Sequence, residues 1–535
     1  MDTTEYAGIG QRSYNLYNAV SVAKAAALYV YPDVFRGQPS GILYVPRIRA
    51  IEMTSPARGA VRKRLRRATA PDEALIAPND SDPREAGTEA VANACSDPEV
   101  HANQVWKLQF VLNEEDNAVN GAFYQPLFTH QIFPNERIRG YLEPNLYQVY
   151  DAVTLHCYLN FKYTAVVNPS KEVTPVMSTL QSLLDECGGY TTDYEAFRQC
   201  SRNANEPLET ALKTISTYDL HNETFIISEG VLCSENKSPA QTALRALHRR
   251  LQFLTLLYIE AASFIDDEDP RWMIYLCRSR RDQRLVGFAT VYRFPAIEKL
   301  QEFDPHREKW RLAQLLILPP YQRAGHGTRF LHALYERARC VSEQTGRCVL
   351  EISIEDPAPA LCCVRDLVDL EKLLTSDDAS RQWAQSINAS SPVPSRSELK
   401  TLAQRLRITA AQVRRLYEIL RLHAMVSASA ASGDVDPELE REYRLVVKRR
   451  LFRENEECFG LKNDDERKQM LAEMYTSLMQ ESYHPVIAAA MRRGLIAPTR
   501  LERRTGSESE LHVLVSGSKE LLLRNSAQVS ESGST

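Results

Sequence analysis

The chain has 535 residues, 44% hydrophobic and 25% charged, a globular composition long enough for roughly two to four separately cored units. Its formal net charge of −4 excludes a protein built wholly around nucleic-acid phosphates, which would carry a basic excess, so no direct nucleic-acid binding is expected. Eleven scattered cysteines, none at zinc-ligand spacing, and a start without a basic stretch ahead of an apolar one exclude a disulfide scaffold and a zinc finger; reduced thiols, no metal and no membrane span are expected.

In chain order, residues 1–104 read as a partly disordered extension. It holds a basic run at Arg58–Arg67, then an acidic, Ala-rich stretch at Asp80–Asp97, and the whole of 46–105 reads as mobile. The basic run is open to two readings, a nuclear-import signal or a solvated loop. Residues 105–205 read as a mixed α/β domain: strands at Val105–Val111 and within Leu146–Tyr163, a helix around Met177–Glu186, and a polar loop near Arg198–Glu206.

A core domain is expected over 206–372. After a strand at Glu223–Ile227, Leu244, Leu247, Leu251, Leu254, Tyr258 and Ala261 step by three and four, which predicts a helix over Ala240–Ile265 with Glu260 on its face. The run Asp266–Asp269 before Pro270 ends it and offers an acidic patch. Two strands follow, at Trp272–Cys277 and Leu285–Tyr292, then a third at Ala313–Leu318, a helix at Thr328–Cys340 and a strand at Cys348–Ile354. Residues 373–504 read as a helical domain interrupted by loops at Thr375–Ser397 and Ser427–Pro437, and 505–535 as a flexible tail.

The most informative segment is L-L-I-L-P-P-Y-Q-R-A-G-H-G-T at 315–328. A strand runs into a turn whose glycines let backbone approach a ligand, and the next helix opens with unpaired N–H groups that suit a pyrophosphate. No Lys-Ser or Lys-Thr follows the second glycine, which excludes a Walker A loop. The spacing Q-R-A-G-H-G matches the cofactor loop of the GNAT-type N-acetyltransferases, and a strand ending in Glu355-Asp356 follows it.

The blocks Gln314–Gly327, Ile354–Pro357, Ile259–Trp272, Phe128–Phe133, Arg414–Leu422 and Tyr443–Leu451 resemble those of the type B histone acetyltransferase catalytic subunits, over roughly residues 105–455. The resemblance implies an α+β fold with a GNAT-type core between a mixed N-terminal domain and a helical C-terminal domain. It implies acetyl-CoA as co-substrate, with Leu315, Leu316 and Ile317 along the pantetheine arm and Gln322, Arg323, Ala324, Gly325, His326, Gly327 and Thr328 around the pyrophosphate. Asn135, Glu136, Arg137, Tyr292, Arg293 and Phe294 occupy the family's histone-contact positions; Arg137 and Arg293 are unexpected opposite a basic tail. The chain departs from the family at Ala358-Pro359-Ala360, where the family has Ser and Lys in a polar run.

A lysine amine, with a pKa near ~10.4, must lose its proton before it attacks a thioester. The resemblance makes Glu355 that general base, supported by Glu260 and Asp356, in direct attack within a ternary complex. Residue by residue, Glu260 also reads as a surface charge, Asp356 as a cap for the next helix, and Cys348, Cys362 and Cys363 as packing residues. The family acetylates N-terminal tail lysines of newly made histone four, works with a WD-repeat histone chaperone, and acts in nucleus and cytoplasm. Two alternatives stay open: an acetyltransferase for protein N-termini or small amines, and a histone-binding scaffold without turnover.

Overall fold

A computed structural model describes residues 98–498, apart from 113–116, 119–121, 168–172, 204–207, 235–237, 298–302, 433–435 and 461. The basic run at Arg58–Arg67 and the tail 505–535 lie outside these residues. Two compact units emerge, 98–289 with 314–322 and 290–313 with 323–498.

The first unit opens with β1 (Glu99–His101), inside the stretch read as mobile. It pairs antiparallel with β4 (Arg137–Arg139). β2 (Trp106–Leu112) lies between the short β3 (Asn117–Ala118) and β6 (Asn145–Asp151), and β7 (Cys157–Lys162) completes that sheet. Burial alternates along β2, and Trp106, fully buried, donates its indole N–H to Gln148 Oε1 at 3.1 Å. β5 (Tyr141–Leu142) and β8 (Ala165–Val166) form a separate pair.

Helix α1 (Val176–Glu186) agrees with the sequence pattern, but the polar loop near Arg198–Glu206 does not. Helix α2 (Tyr194–Asn203) runs through its first half, started by Asp193 Oδ1, which accepts the N–H groups of Glu195 and Ala196. Phe197 anchors it against Val111 and Val149, with Tyr158 and Tyr194 packed alongside. Two aromatics one turn apart outweigh the polar residues between them.

Next come β9 (Lys213–Leu220) and β10 (Glu223–Val231), then helix α3 (Pro239–Tyr258), capped by Ser238 Oγ on Gln241 N–H. α3 is buried on nearly every face of its last three turns, and it stops at Tyr258, short of the expected Ile265. β11 (Trp272–Ser279) follows. β12 (Leu285–Ile297) and β13 (Phe303–Ile317) are longer than their apolar runs and contribute to both units. Within the first unit β10 pairs antiparallel with both β9 and β11, and β14 (Cys348–Ile354) belongs to the second unit.

In the second unit, helix α4 (His326–Gln344) precedes β14, and β13 and β14 pair in parallel from Arg307↔Cys348 to Leu312↔Ile354. The helical region comprises α5 (Pro359–Thr375), α6 (Asp378–Ser386), α7 (Arg396–Leu406), α8 (Ala410–Ser432), α9 (Pro437–Glu454), α10 (Asp464–Leu478) and α11 (His484–Arg492). Two expected loops are partly helical. α6 forms where Asp377 caps Ser380 N–H, and α8 runs on through Ser432. Both stretches are rich in Ser and Ala, and Asp at an N-cap is enough to start a helix there. Buried ion pairs hold the bundle: Arg415 to Asp366 at 2.5 Å, and Arg450 to Glu418 at 2.9 Å.

Candidate active site

In the second unit the glycine loop and the strand-end carboxylates each take a defined form. Gly325 is the N-cap of α4 at φ +100°, a conformation that suits glycine, and no side chain caps the helix. No acidic residue stands in the first turn. The first intrahelical bond runs from Arg329 N–H to the Gly325 carbonyl, so the N–H groups of His326, Gly327 and Thr328 precede any helical acceptor. A Cβ added at Gly325 or Gly327 would meet nothing within 4 Å, so the helix start faces open space. Arg323 is exposed, Ala324 and Thr328 are half-buried, and His326 is buried at 3% exposure, inside the helix start and away from solvent. An oxyanion group such as the coenzyme's pyrophosphate fits this uncapped, unobstructed terminus.

β14 ends as Glu355 N–H donates to the Leu312 carbonyl at 2.9 Å, the last bond of the parallel pair. Beyond it Asp356 turns the chain at φ +34°. The next helix takes Ala358 as its N-cap, without a side-chain bond from that residue, and begins on Pro359. The Glu355 side chain keeps 48% of its surface open. Burial nonetheless pushes its pKa above the usual carboxylate range, the Arg311 guanidinium opposes this, and Asp356 adds to it.

Arg311, which the sequence reading passed over, lies with Nη1 4.0 Å from Glu355 Oε1 and its guanidinium 4.8 Å from the centre of the Phe294 ring. Phe294 packs edge-on to Tyr292 at 4.5 Å, with Arg293 between them on β12. Tyr292, Phe294, Arg311 and Glu355 therefore form one contact chain. A period-two signal was available: β13 carries Lys309 and Arg311, β14 carries Glu351 with Glu355 just past its end, and both cation–carboxylate pairs form, at 3.4 and 4.0 Å.

The cysteines nearby are not activated. Cys362 is pushed up to about 11 by burial and Cys363 is raised too, each donating to a carbonyl, of Pro357 and Glu481. Cys348 is exposed at the start of β14, a full strand from Glu355.

The first unit holds the remaining expected residues. Glu260 is exposed and stands beyond the end of α3, not on its face, because side chains from elsewhere capture the following segment. Gln131 donates to the Ala262 carbonyl at 2.9 Å, Gln252 Oε1 accepts Ile265 N–H at 3.0 Å, and Gln314 donates to the Ser263 carbonyl at 3.2 Å. Gln252 and Gln314 also bond each other, and Ala261 sits at φ +54°. Two of these three glutamines lie inside blocks quoted above. A glutamine in an otherwise apolar run was the readable sign of a buried hydrogen-bond anchor.

Within Asp266–Asp269 the acidic patch is smaller than expected. Asp267 is held by Arg245 and Arg249 at 2.8 and 2.9 Å, and Asp269 by Arg271, which leaves Asp266 and Glu268 exposed. Asn135 and Glu136 form a tight turn at φ +53° and +57°. Burial raises the Glu136 pKa, but the Thr129 N–H and His101 outweigh it and the net shift is downward. Arg137 pairs with Glu99 at 3.4 Å, so its charge is partly neutralised by β1.

Of the cofactor positions here, Leu316 is buried, Leu315 and Ile317 are half-buried, and Gln322 donates to the Ile317 carbonyl at 2.9 Å. A Cβ on Gly287 would strike the Leu316 carbonyl oxygen at 2.7 Å, so only glycine lets β12 approach β13 there. Leu318 N–H bonds the Val286 carbonyl, and Tyr321 is buried with the Arg284 guanidinium 5.8 Å from its ring centre, which fixes the turn before the loop.

A strand running into an uncapped, glycine-opened helix, followed by a parallel strand that ends in a carboxylate, defines a GNAT-type acetyltransferase, and residues 241–358 match the Acetyltransferase (GNAT) family. Residues 99–260 match the family described as Histone acetyl transferase HAT1 N-terminus. The chain is similar over most of its length to proteins named histone acetyltransferase type B catalytic subunit. The relative in Eremothecium gossypii with that name is 29% identical over 77% of this chain and 96% of its own. The one in Kluyveromyces lactis is 26% identical over 74% and 93%. That in Dictyostelium discoideum is 26% identical over 64% and 70%.

Proposed function

We propose that this chain transfers acetyl from acetyl-CoA to lysine side chains in the N-terminal tail of free, newly made histone, histone four by family resemblance. The observation that carries the chemistry is Glu355: a strand-end carboxylate whose pKa burial raises, half open to solvent and in one contact chain with Tyr292 and Phe294. When bound, acetyl-CoA supplies the acetyl group as a thioester. The α4 terminus at Arg323–Thr328 takes its pyrophosphate and Leu315–Ile317 its pantetheine arm. Glu355 accepts the proton of the incoming lysine amine, while Glu260 and Asp356 add negative charge that favours a cationic side chain. Tyr292, Arg293 and Phe294, with Asn135, Glu136 and Arg137, contact the tail. Burial raises the pKa of the Cys362 and Cys363 thiols, which supports direct attack by the amine over an acetyl-enzyme.

Among the described residues no helix is long and apolar enough to cross a membrane. A nuclear and cytoplasmic site of action, with a WD-repeat histone chaperone as partner, follows from the resemblance and belongs to the same proposal. The test is acetyl-CoA turnover against free histones, tail peptides, peptides with only an N-terminal amine, and small polyamines. Turnover on histone-tail lysines supports the reading. Turnover confined to N-terminal amines or small amines, or none with any of them, overturns it.

A further inference from the structure

The helical region contains a cavity of about 350 Å³ for which the acetyl-transfer chemistry has no use. Its walls come mainly from α9: Val446, Arg449, Arg450 and Arg453 recur at three and four, so one face of the helix lines it. Arg414 of α8 and the exposed Val393 also line it. The positive charges there are not equivalent. Arg450 is buried and fully committed, to both oxygens of Glu418, to Glu454 at 2.5 Å and to the Tyr483 hydroxyl at 3.1 Å.

Arg414 is only half committed. Its Nε bonds Glu418 at 3.2 Å, which aims the guanidinium without engaging its two terminal nitrogens. Arg449 and Arg453 are exposed and make no ion pair with any described residue. Four guanidinium groups thus face two carboxylates, Glu418 and Glu454, both already spent on Arg450 and Arg414. Arg414, Arg449 and Arg453 line the cavity with uncommitted guanidinium nitrogens, together with the apolar Val393 and Val446.

We infer that this pocket binds a compact polyanion carrying at least two phosphoryl groups. Guanidinium forks match phosphate oxygens two at a time, and several around one cavity demand several anionic groups at short spacing. The volume stands near the lower end for small-molecule sites, which suits a phosphorylated small molecule, whereas an acidic peptide would need an extended track. The buried Glu418–Arg450–Tyr483 network holds Arg450 in place, so the groups left for a ligand to order are Arg449, Arg453 and the free end of Arg414.

The test is calorimetric titration of the full chain, at low and at physiological salt, with inorganic pyrophosphate, inositol hexakisphosphate, a poly-glutamate peptide and acetyl-CoA as probes. Saturable binding of pyrophosphate or the inositol phosphate, weakened by salt and weakened at least tenfold by Arg449→Gln with Arg453→Gln, is the expected result. The two probes separate an inorganic from an organic source of the same chemistry. Arg441→Gln, on the same helix but outside the cavity, leaves the affinity unchanged. Both paired substitutions are at exposed, unpaired positions, and circular dichroism confirms that the fold is kept. No binding of either phosphate probe, equal loss in the Arg441 variant, or tighter binding of poly-glutamate than of both phosphates overturns the inference. Retained phosphate binding in the double variant, with competition by acetyl-CoA, assigns the anion to the coenzyme loop and overturns it too.

Discussion

Replacing Arg311 by Gln removes the one cation that opposes the burial of Glu355, and the consequence is a displaced acid limb in the rate profile. At 4.0 Å two unit charges interact by ~4 kcal/mol at the effective dielectric of a protein surface and by ~1 kcal/mol in bulk water. Glu355 keeps 48% and Arg311 37% of their side chains open, so solvent screening selects the lower figure. An energy of ~1 kcal/mol is about a fivefold change in the fraction of Glu355 that is ionised wherever protonation limits the rate. Arg311 favours the anion, so its loss raises the Glu355 pKa and moves the limb to higher pH; Asp356 and burial act in the same raising sense. The assay is kcat/KM against pH on a tail peptide, each profile normalised to its own plateau, because loss of the Phe294 contact can also alter substrate binding. On the acid limb the Gln variant should run about fivefold below wild type, Arg311→Lys should fall close to wild type, and ~1 M salt should move wild type toward Gln. A Gln profile that superimposes on wild type, or shifts to lower pH, refutes the electrostatic coupling.

Glu355→Gln should lower kcat by roughly 10²–10⁴-fold with acetyl-CoA affinity kept, and near-normal turnover in this variant would remove Glu355 as the base. Gly327→Asp should abolish coenzyme binding in calorimetry while the fold survives, since Gly327 has no positive φ and its Cβ enters open space; Gly325→Asp is the poorer probe because φ +100° strains any side chain. His248 is buried with its pKa lowered from 6.5 to about 4 by burial, so the unfolded chain takes up its proton first. The stability it contributes is complete above pH 6.5 and is lost as pH falls toward 4, at most ~3 kcal/mol. The unfolding free energy of His248→Phe, followed by urea titration at several pH values, should show a shallower fall over that window.

How much of this was legible in the sequence depended on the range of the interactions that decide each element. Strand β14 agreed with its expected bounds, Cys348–Ile354, and the loop Gln322–Thr328 was recognisable because helix-terminus geometry is local and needs glycine at fixed places. The end of α3 was not legible. Periodicity carries on through Ala261, yet Gln131 bonds the segment from 131 residues away, and no local pattern records that. The charge of Asp266–Asp269 was read correctly as composition and wrongly as free surface, since Arg245 and Arg249 look solvent-facing on a helical wheel. Arg311 was missed because its partner lies just past the end of another strand, 44 positions along.

The capture of the segment after α3 bears on how such an enzyme can be divided. The residues that match the acetyltransferase family begin at 241, inside α3, whereas the groups that fix that helix and its exit begin far earlier. Phe253 packs at 6.2 Å on Trp106, the Leu257 carbonyl accepts the N–H groups of Leu127 and Phe128, and the Tyr258 hydroxyl bonds the Gln125 carbonyl. A fragment cut at the start of the catalytic homology would expose an apolar helix on several sides and release the loop that carries Glu260. The boundary drawn by homology is therefore not a seam in the folded chain. What a recombinant catalytic core has to retain is the upstream β-sheet, which clothes its central helix.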